Sequence, residues 1–140
     1  MSRSPRPLTV SFLAAGVLLV AILNGTRAAW LWQRREFLAT LIVSVPLAYL
    51  VGSAIVWCAI WCAAGIGLWR MARWGRTLTA VAVVLYHAHN WINRWLFEVS
   101  EFARLVWPWQ ALVTIISIAL TYGILWRPRV RRRFTTSSLE

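Results

Sequence analysis

Hydrophobic and polar positions alternate on a coarse scale along this chain: four apolar runs, parted by short stretches that hold nearly all of its arginines. A helix needs ~20 apolar residues to cross a hydrocarbon core of about 30 Å. The pattern therefore predicts an all-α, polytopic membrane protein, a single membrane domain of four transmembrane helices in an antiparallel bundle. The first span is expected over about residues 8–23, reaching toward Trp32 if the Asn24-Gly25 step only bends it. Taken alone, that run would rise roughly 24 Å as a helix, short of the core, so extension or hydrophobic mismatch is expected.

The apolar pattern from 37 to 69 is too long for one upright helix. Pro46 divides it, because proline lacks an amide donor and biases Val45 away from helix. The second span is then expected over 46–69, and residues 24–45 form an interfacial segment, with Arg27, Trp30, Trp32, Arg34 and Arg35 at headgroup level. A short arginine-bearing turn leads to a third span over 77–97, and its brevity makes the second and third helices neighbours. Trp107-Pro108 opens the fourth span, 108–126, with proline at a helical start where its missing donor costs little. A basic tail, 127–140, follows.

Composition sharpens this picture. The chain has 140 residues, 60% of them hydrophobic, and 11 tryptophans, with a mean hydropathy of +0.63; soluble domains are usually under half apolar. A net charge of +11 raises nucleic-acid binding as a class, but the arginines cap apolar runs and form no basic groove with interleaved polar residues, so no nucleic-acid partner is expected. All the basic residues are arginine, which points to a GC-rich bacterial genome. Arg3, Arg6, Arg70, Arg73, Arg76, Arg127, Arg129, Arg131, Arg132 and Arg133 fall on one side of the predicted spans. The opposite side holds half as many (Arg27, Arg34, Arg35, Arg94 and Arg104), offset by Glu36, Glu98 and Glu101. The positive-inside rule then puts both termini in the cytoplasm of a bacterial inner membrane, with the larger set anchoring anionic headgroups. Arg3 and Arg6 before the first run resemble a signal peptide, but no small-x-small site closes it, so a retained signal anchor is expected.

Chemistry is sparse. His87 would lie about 15 Å from the edge at Thr77, near the midplane, where an ionisable group is a functional hint. His87, Asn90, Trp91, Arg94, Glu98 and Glu101 share one stripe at helical spacing, and Arg94 and Glu98 are spaced to pair. One reading is an interhelical polar seam of His87, Asn90, Arg94, Glu98 and Glu101. The other is a haem- or chlorophyll-type cofactor on His87 or His89. Those two histidines project about 200° apart, so they cannot clamp one iron between facing helices. Cys58 and Cys62 lie at similar depth on the neighbouring helix; a structural zinc needs a fourth ligand, and the pair reads as packing residues rather than a metal site. Most tryptophans fall into belts at the two interfaces, Trp57 and Trp61 excepted. The first run lacks the buried carboxylate of small proton-coupled carriers, and no phosphate loop, zinc-protease motif or nucleophile elbow is present, so no enzyme is expected.

The stretch Gly67-Leu68-Trp69-Arg70-Met71-Ala72-Arg73-Trp74-Gly75-Arg76-Thr77-Leu78 and the end Trp126-Arg127-Pro128-Arg129-Val130-Arg131-Arg132-Arg133-Phe134 resemble the helix-two to helix-three link and the terminal Arg-Pro-x-Val-Arg signature of small, uncharacterised four-helix bacterial membrane proteins. That resemblance implies architecture and no activity. The expected function is a non-catalytic accessory subunit beside larger partners, such as a respiratory or photosynthetic complex. A cofactor-binding or electron-transfer subunit is the alternative, and a small transporter the third.

Overall fold

A computed structural model of the chain describes residues 8–40, 45–97, 101–128 and 130, with 101–104 described by their backbone alone. Among these residues every regular element is helical: α1 (Leu8–Gln33), the short α2 (Arg35–Ala39), α3 (Leu47–Trp69), α4 (Arg73–Phe97) and α5 (Glu101–Leu125). Three stretches are long and apolar enough to cross a membrane, namely Leu8–Gln33, Leu47–Trp69 and Leu105–Leu125. The protein is thus an all-helical membrane protein by length and composition. Helix α4, where a third span was expected, is also long but carries too many polar residues to join those three.

Two boundaries differ from expectation. Residues 24–33 continue α1, so the helix runs on past the Asn24-Gly25 step toward Trp32. Asn24 does not stop the helix because its side-chain amide donates back to the Val20 carbonyl at 2.8 Å, and Thr26 donates to the Leu23 carbonyl at 3.0 Å, so both polar groups are satisfied within the helix. Gly25 has a packing role: a Cβ there would lie 3.2 Å from the Cys58 sulfur on α3. Likewise Pro108 sits inside α5, which begins at Glu101. The missing amide forfeits one bond, to the carbonyl of residue 104, close enough to the helix start to be tolerated. Pro46, by contrast, caps α3 from outside, with ψ at 129°, and its carbonyl accepts from Tyr49 N at 3.0 Å and Leu50 N at 3.2 Å.

The core lies along α1 and α3. Val10, Ala14, Val17, Ala21, Asn24, Ala28 and Leu31 are the buried positions of α1, alternating four and three residues apart. Ala54, Trp57, Trp61, Ala64 and Leu68 on α3 repeat the same spacing and are buried too. Two such seams facing each other make the heptad geometry of a left-handed pair. In lipid the driving force is close contact, because apolar side chains gain nothing by leaving a hydrocarbon solvent. Small residues supply that contact: Ala64 is fully buried, and a Cβ on Gly65 would reach 2.5 Å from a Leu18 methyl.

Helices α3 and α4 meet most closely at their shared turn, where a Cβ on Gly67 would lie 2.6 Å from the Gly75 Cα. Only glycine permits that backbone approach. The turn is a Schellman cap: Met71 N donates to the Leu68 carbonyl at 3.0 Å and Ala72 N to the Gly67 carbonyl at 2.9 Å. Met71 occupies the left-handed position with φ at 56°, where glycine is usual. At the same end, the Arg76 guanidinium lies 4.8 Å from the centroid of a Trp126 ring, which stacks on Tyr122 at 4.9 Å and 14°.

Candidate functional site

Away from that end, α4 directs its polar residues inward along two lines. The first faces α5, whose Gln110, Thr114, Ser117 and Thr121 recur at spacings of four, three and four. His87 engages this stripe with both ring nitrogens: Nδ1 is 3.2 Å from Thr114 Oγ1, and Nε2 is 2.8 Å from Ser117 Oγ. Thr114 also donates to the Gln110 carbonyl at 2.9 Å and accepts from Trp91 Nε1 at 3.3 Å. Because Thr114 gives its proton to Gln110, a neutral His87 donates from Nδ1 to Thr114, and its Nε2 competes with the Val113 and Thr114 carbonyls for the single Ser117 proton. Higher up, the Arg94 guanidinium donates to Gln110 Oε1, and the Trp91 ring meets Trp107 edge-on at 5.9 Å. Lower down, Tyr122 donates to the Ala80 carbonyl at 3.2 Å. This α4–α5 interface is therefore a ladder of hydrogen bonds.

The second line faces α3 and α1 and borders an open cleft of about 300 Å³. Tyr49 donates to Asn93 Oδ1 at 2.5 Å, and the Asn93 amide lies 2.9 Å from His89 Nε2. In this relay His89 Nε2 accepts, leaving the proton on Nδ1. The His89 ring also lies 5.6 Å from Trp57 and 6.1 Å from Tyr49 between centroids. Arg27 and Asn24 border the cleft from α1, Ser53 from α3, and Asn90, Arg94 and Gln110 complete it. Below, Tyr86 makes edge contacts with Trp57 at 5.0 Å and Trp61 at 5.6 Å, which closes the floor. Trp61 packs at that floor with its indole nitrogen buried and without a hydrogen-bond partner.

The structure sorts the sequence-derived residues accordingly. His87 meets α5, Arg94 both meets α5 and borders the cleft, and Asn90 and His89 border the cleft. Glu98 and the side chain of Glu101 lie outside the described residues, as do Arg129, Arg131, Arg132 and Arg133. Arg70, Arg73 and Arg127 are exposed at the ends of α3, α4 and α5. Cys58 packs against Gly25 of α1 while His87 turns to α5. Both cysteines are free thiols, and among the described residues no three His, Cys, Asp or Glu side chains converge on one point. A histidine ligand to iron or magnesium must offer a nitrogen lone pair; both nitrogens of His87 are engaged with α5, and Asn93 occupies Nε2 of His89.

Reasoning from sequence passed over Tyr49, Asn93 and the α5 stripe, and gave Arg27 a headgroup role only. The stripe was legible in principle from its heptad spacing. Tyr49 and Asn93, by contrast, are far apart in sequence and meet only through the register of α3 on α4. Compared with known proteins, the chain matches no family model, and no curated protein or solved structure is similar to it.

Proposed function

We propose that this chain is a non-catalytic subunit of a bacterial inner membrane that crosses the bilayer four times and packs beside larger membrane partners. Helix α4 carries the reading, because its polarity is inverted relative to a soluble amphipathic helix. Its exposed positions include Val81, Val84, Leu85, Ile92, Trp95 and Leu96, with Trp95 93% exposed, whereas His87, His89, Asn90, Asn93 and Arg94 are turned inward. A helix in water would point the first set at neighbours and the second at solvent. Lipid demands the reverse, so the polar content that lowers the average hydropathy of α4 is compatible with a fourth span.

Contact order supports an antiparallel bundle. Gly67 meets Gly75, Trp57 meets Tyr86 and Tyr49 meets Asn93. On the far side Ala80 meets Tyr122, His87 meets Ser117 and Arg94 meets Gln110. In each helix pair the residue numbers rise along one member as they fall along the other. The start of α1, the α3–α4 turn and the end of α5 then share one face, where Arg70, Arg73, Arg76 and Arg127 would lie against anionic cytoplasmic headgroups.

Two experiments test these layers separately. Reporters joined after Glu140 and after Gln33 should report cytoplasmic and external locations respectively; a reporter after Glu140 that is active only outside overturns the topology. Crosslinking in native membranes followed by mild-detergent purification should yield a defined larger complex, and a monomer with no crosslinked protein overturns the accessory role. The cofactor alternative requires the Asn93 bond to His89 Nε2 to open, which would free that nitrogen beside Trp57 and Tyr49. A visible absorption band lost in His89→Ala would favour it.

A further inference from the structure

We infer that the cleft between α1, α3 and α4 binds the oxyanion of an anionic ligand, a phosphate or carboxylate, at the depth of the outer headgroups. The inference rests on the four-span reading above.

Three observations lead to it. Two guanidinium side chains, Arg27 from α1 and Arg94 from α4, border the same cavity of about 300 Å³, Arg94 while also donating to Gln110 Oε1. Guanidinium presents a planar fork of donors that matches the paired oxygens of a carboxylate or phosphate. The same cavity is lined by neutral groups able to donate to an anion. The His89 ring keeps its Nδ1 proton when Asn93 bonds Nε2, and Asn90 also borders the space. Polar groups of this kind, held by a relay running from Tyr49 through Asn93, give a site whose donors are oriented before a ligand arrives.

Depth identifies the class of ligand. Arg94 lies three residues before the end of α4 and Arg27 six before the end of α1, so both cations stand roughly 5 to 9 Å inside their helix ends. Exposed Trp30, Trp32, Trp95, Trp107 and Trp109 surround that level, as an interfacial aromatic belt would. An open cavity at the belt is reached both by a phospholipid headgroup from the side and by a water-soluble anion from outside. The shared chemistry is an oxyanion held by two arginines and capped by amide and imidazole donors.

Native mass spectrometry of the full chain released from nanodiscs distinguishes the sources. Phosphatidylglycerol should be retained in preference to phosphatidylcholine, and Arg27→Gln should weaken that retention about tenfold or more, the loss expected for one charge-assisted contact. Arg35→Gln is the control, because Arg35 lies outside the cleft, 4.6 Å from the centroid of the Trp32 ring. Displacement of the lipid by millimolar glycerol phosphate or succinate, sensitive to Arg27→Gln, assigns the site to a soluble anion instead and still supports the inference. Equal retention of both lipids with no competition by either soluble anion overturns it. So does a preference that Arg27→Gln and Arg35→Gln reduce alike, which is surface electrostatics. Cysteine labelling at position 93 from the external side, run in parallel, keeps the outcomes distinct: labelling with no anion selectivity sinks only this inference, whereas labelling from the cytoplasmic side sinks the topology.

Discussion

The two long interfaces of this bundle are joined by opposite means. Between α1 and α3 the contact is dry and close: alanines, Val10, Val17 and Leu68 fill a heptad seam, and Ala64 and Leu68 are fully buried. Between α4 and α5 the contact is a row of hydrogen bonds from Arg94 and His87 to Gln110, Thr114 and Ser117. In a hydrocarbon solvent only dispersion and polar bonding reward helix association, and this chain assigns one of them to each interface. The dry seam tolerates no added volume. The polar ladder fixes register but leaves its outer flank open, since about half of the described α5 side chains are exposed, including Leu112, Ile115, Ile116 and Leu120.

The sharpest way to break this contrast is to add volume on the dry side. Ala64→Leu inserts a branched side chain where the alanine is fully buried, and overpacking of this kind costs up to about 3 kcal/mol. Denaturation of the purified protein in detergent should show a correspondingly lower midpoint. The same change at Ala119 of α5, an exposed alanine, should leave it within about 0.5 kcal/mol of the parent. Equal effects at the two positions would mean that α1 and α3 are not closely packed.

A smaller effect is expected on the polar side. A double-mutant cycle with His87→Leu and Ser117→Ala isolates one rung of the ladder, and interhelical bonds in membranes couple by about 0.6 to 2 kcal/mol. A coupling energy near zero would show that the bond adds nothing and that α5 is held by its apolar contacts alone.

The same contrast explains what was legible in the sequence. Pro46 marks the start of α3 because loss of a donor acts locally and needs no partner. The Asn24-Gly25 step reads as a stop only while the partner of each residue is unknown. In the fold Asn24 bonds Val20, and Gly25 makes room for Cys58, so a pair that would end a helix in water continues one. Pro108 misleads in the same manner. The midplane depth expected for His87 comes from counting along one helix, but its choice of α5 over α3 depends on Thr114 and Ser117, 27 and 30 residues on. The cleft was hidden most completely, because Tyr49, His89 and Arg27 come from three helices, and only their packing brings these side chains to one cavity.

The turn between α3 and α4 joins the two regions, and its strain offers the finest adjustment. Met71 holds φ at 56°, a left-handed conformation that costs a residue with a Cβ roughly 1–2 kcal/mol. Glycine there removes that cost but regains freedom in the unfolded chain, an opposing term of about 0.4–1 kcal/mol. Met71→Gly should therefore stabilise the protein by about 0.5 kcal/mol, seen as a small rise in the unfolding midpoint. Met71 also packs against the buried core, so its side chain can reverse the sign. Comparing Met71→Gly with Met71→Ala separates the two: alanine loses the same contacts while keeping the strain. If glycine is not the more stable of the pair, the Schellman geometry is not what holds Gly67 against Gly75, and the close approach of α3 and α4 owes nothing to the turn that connects them.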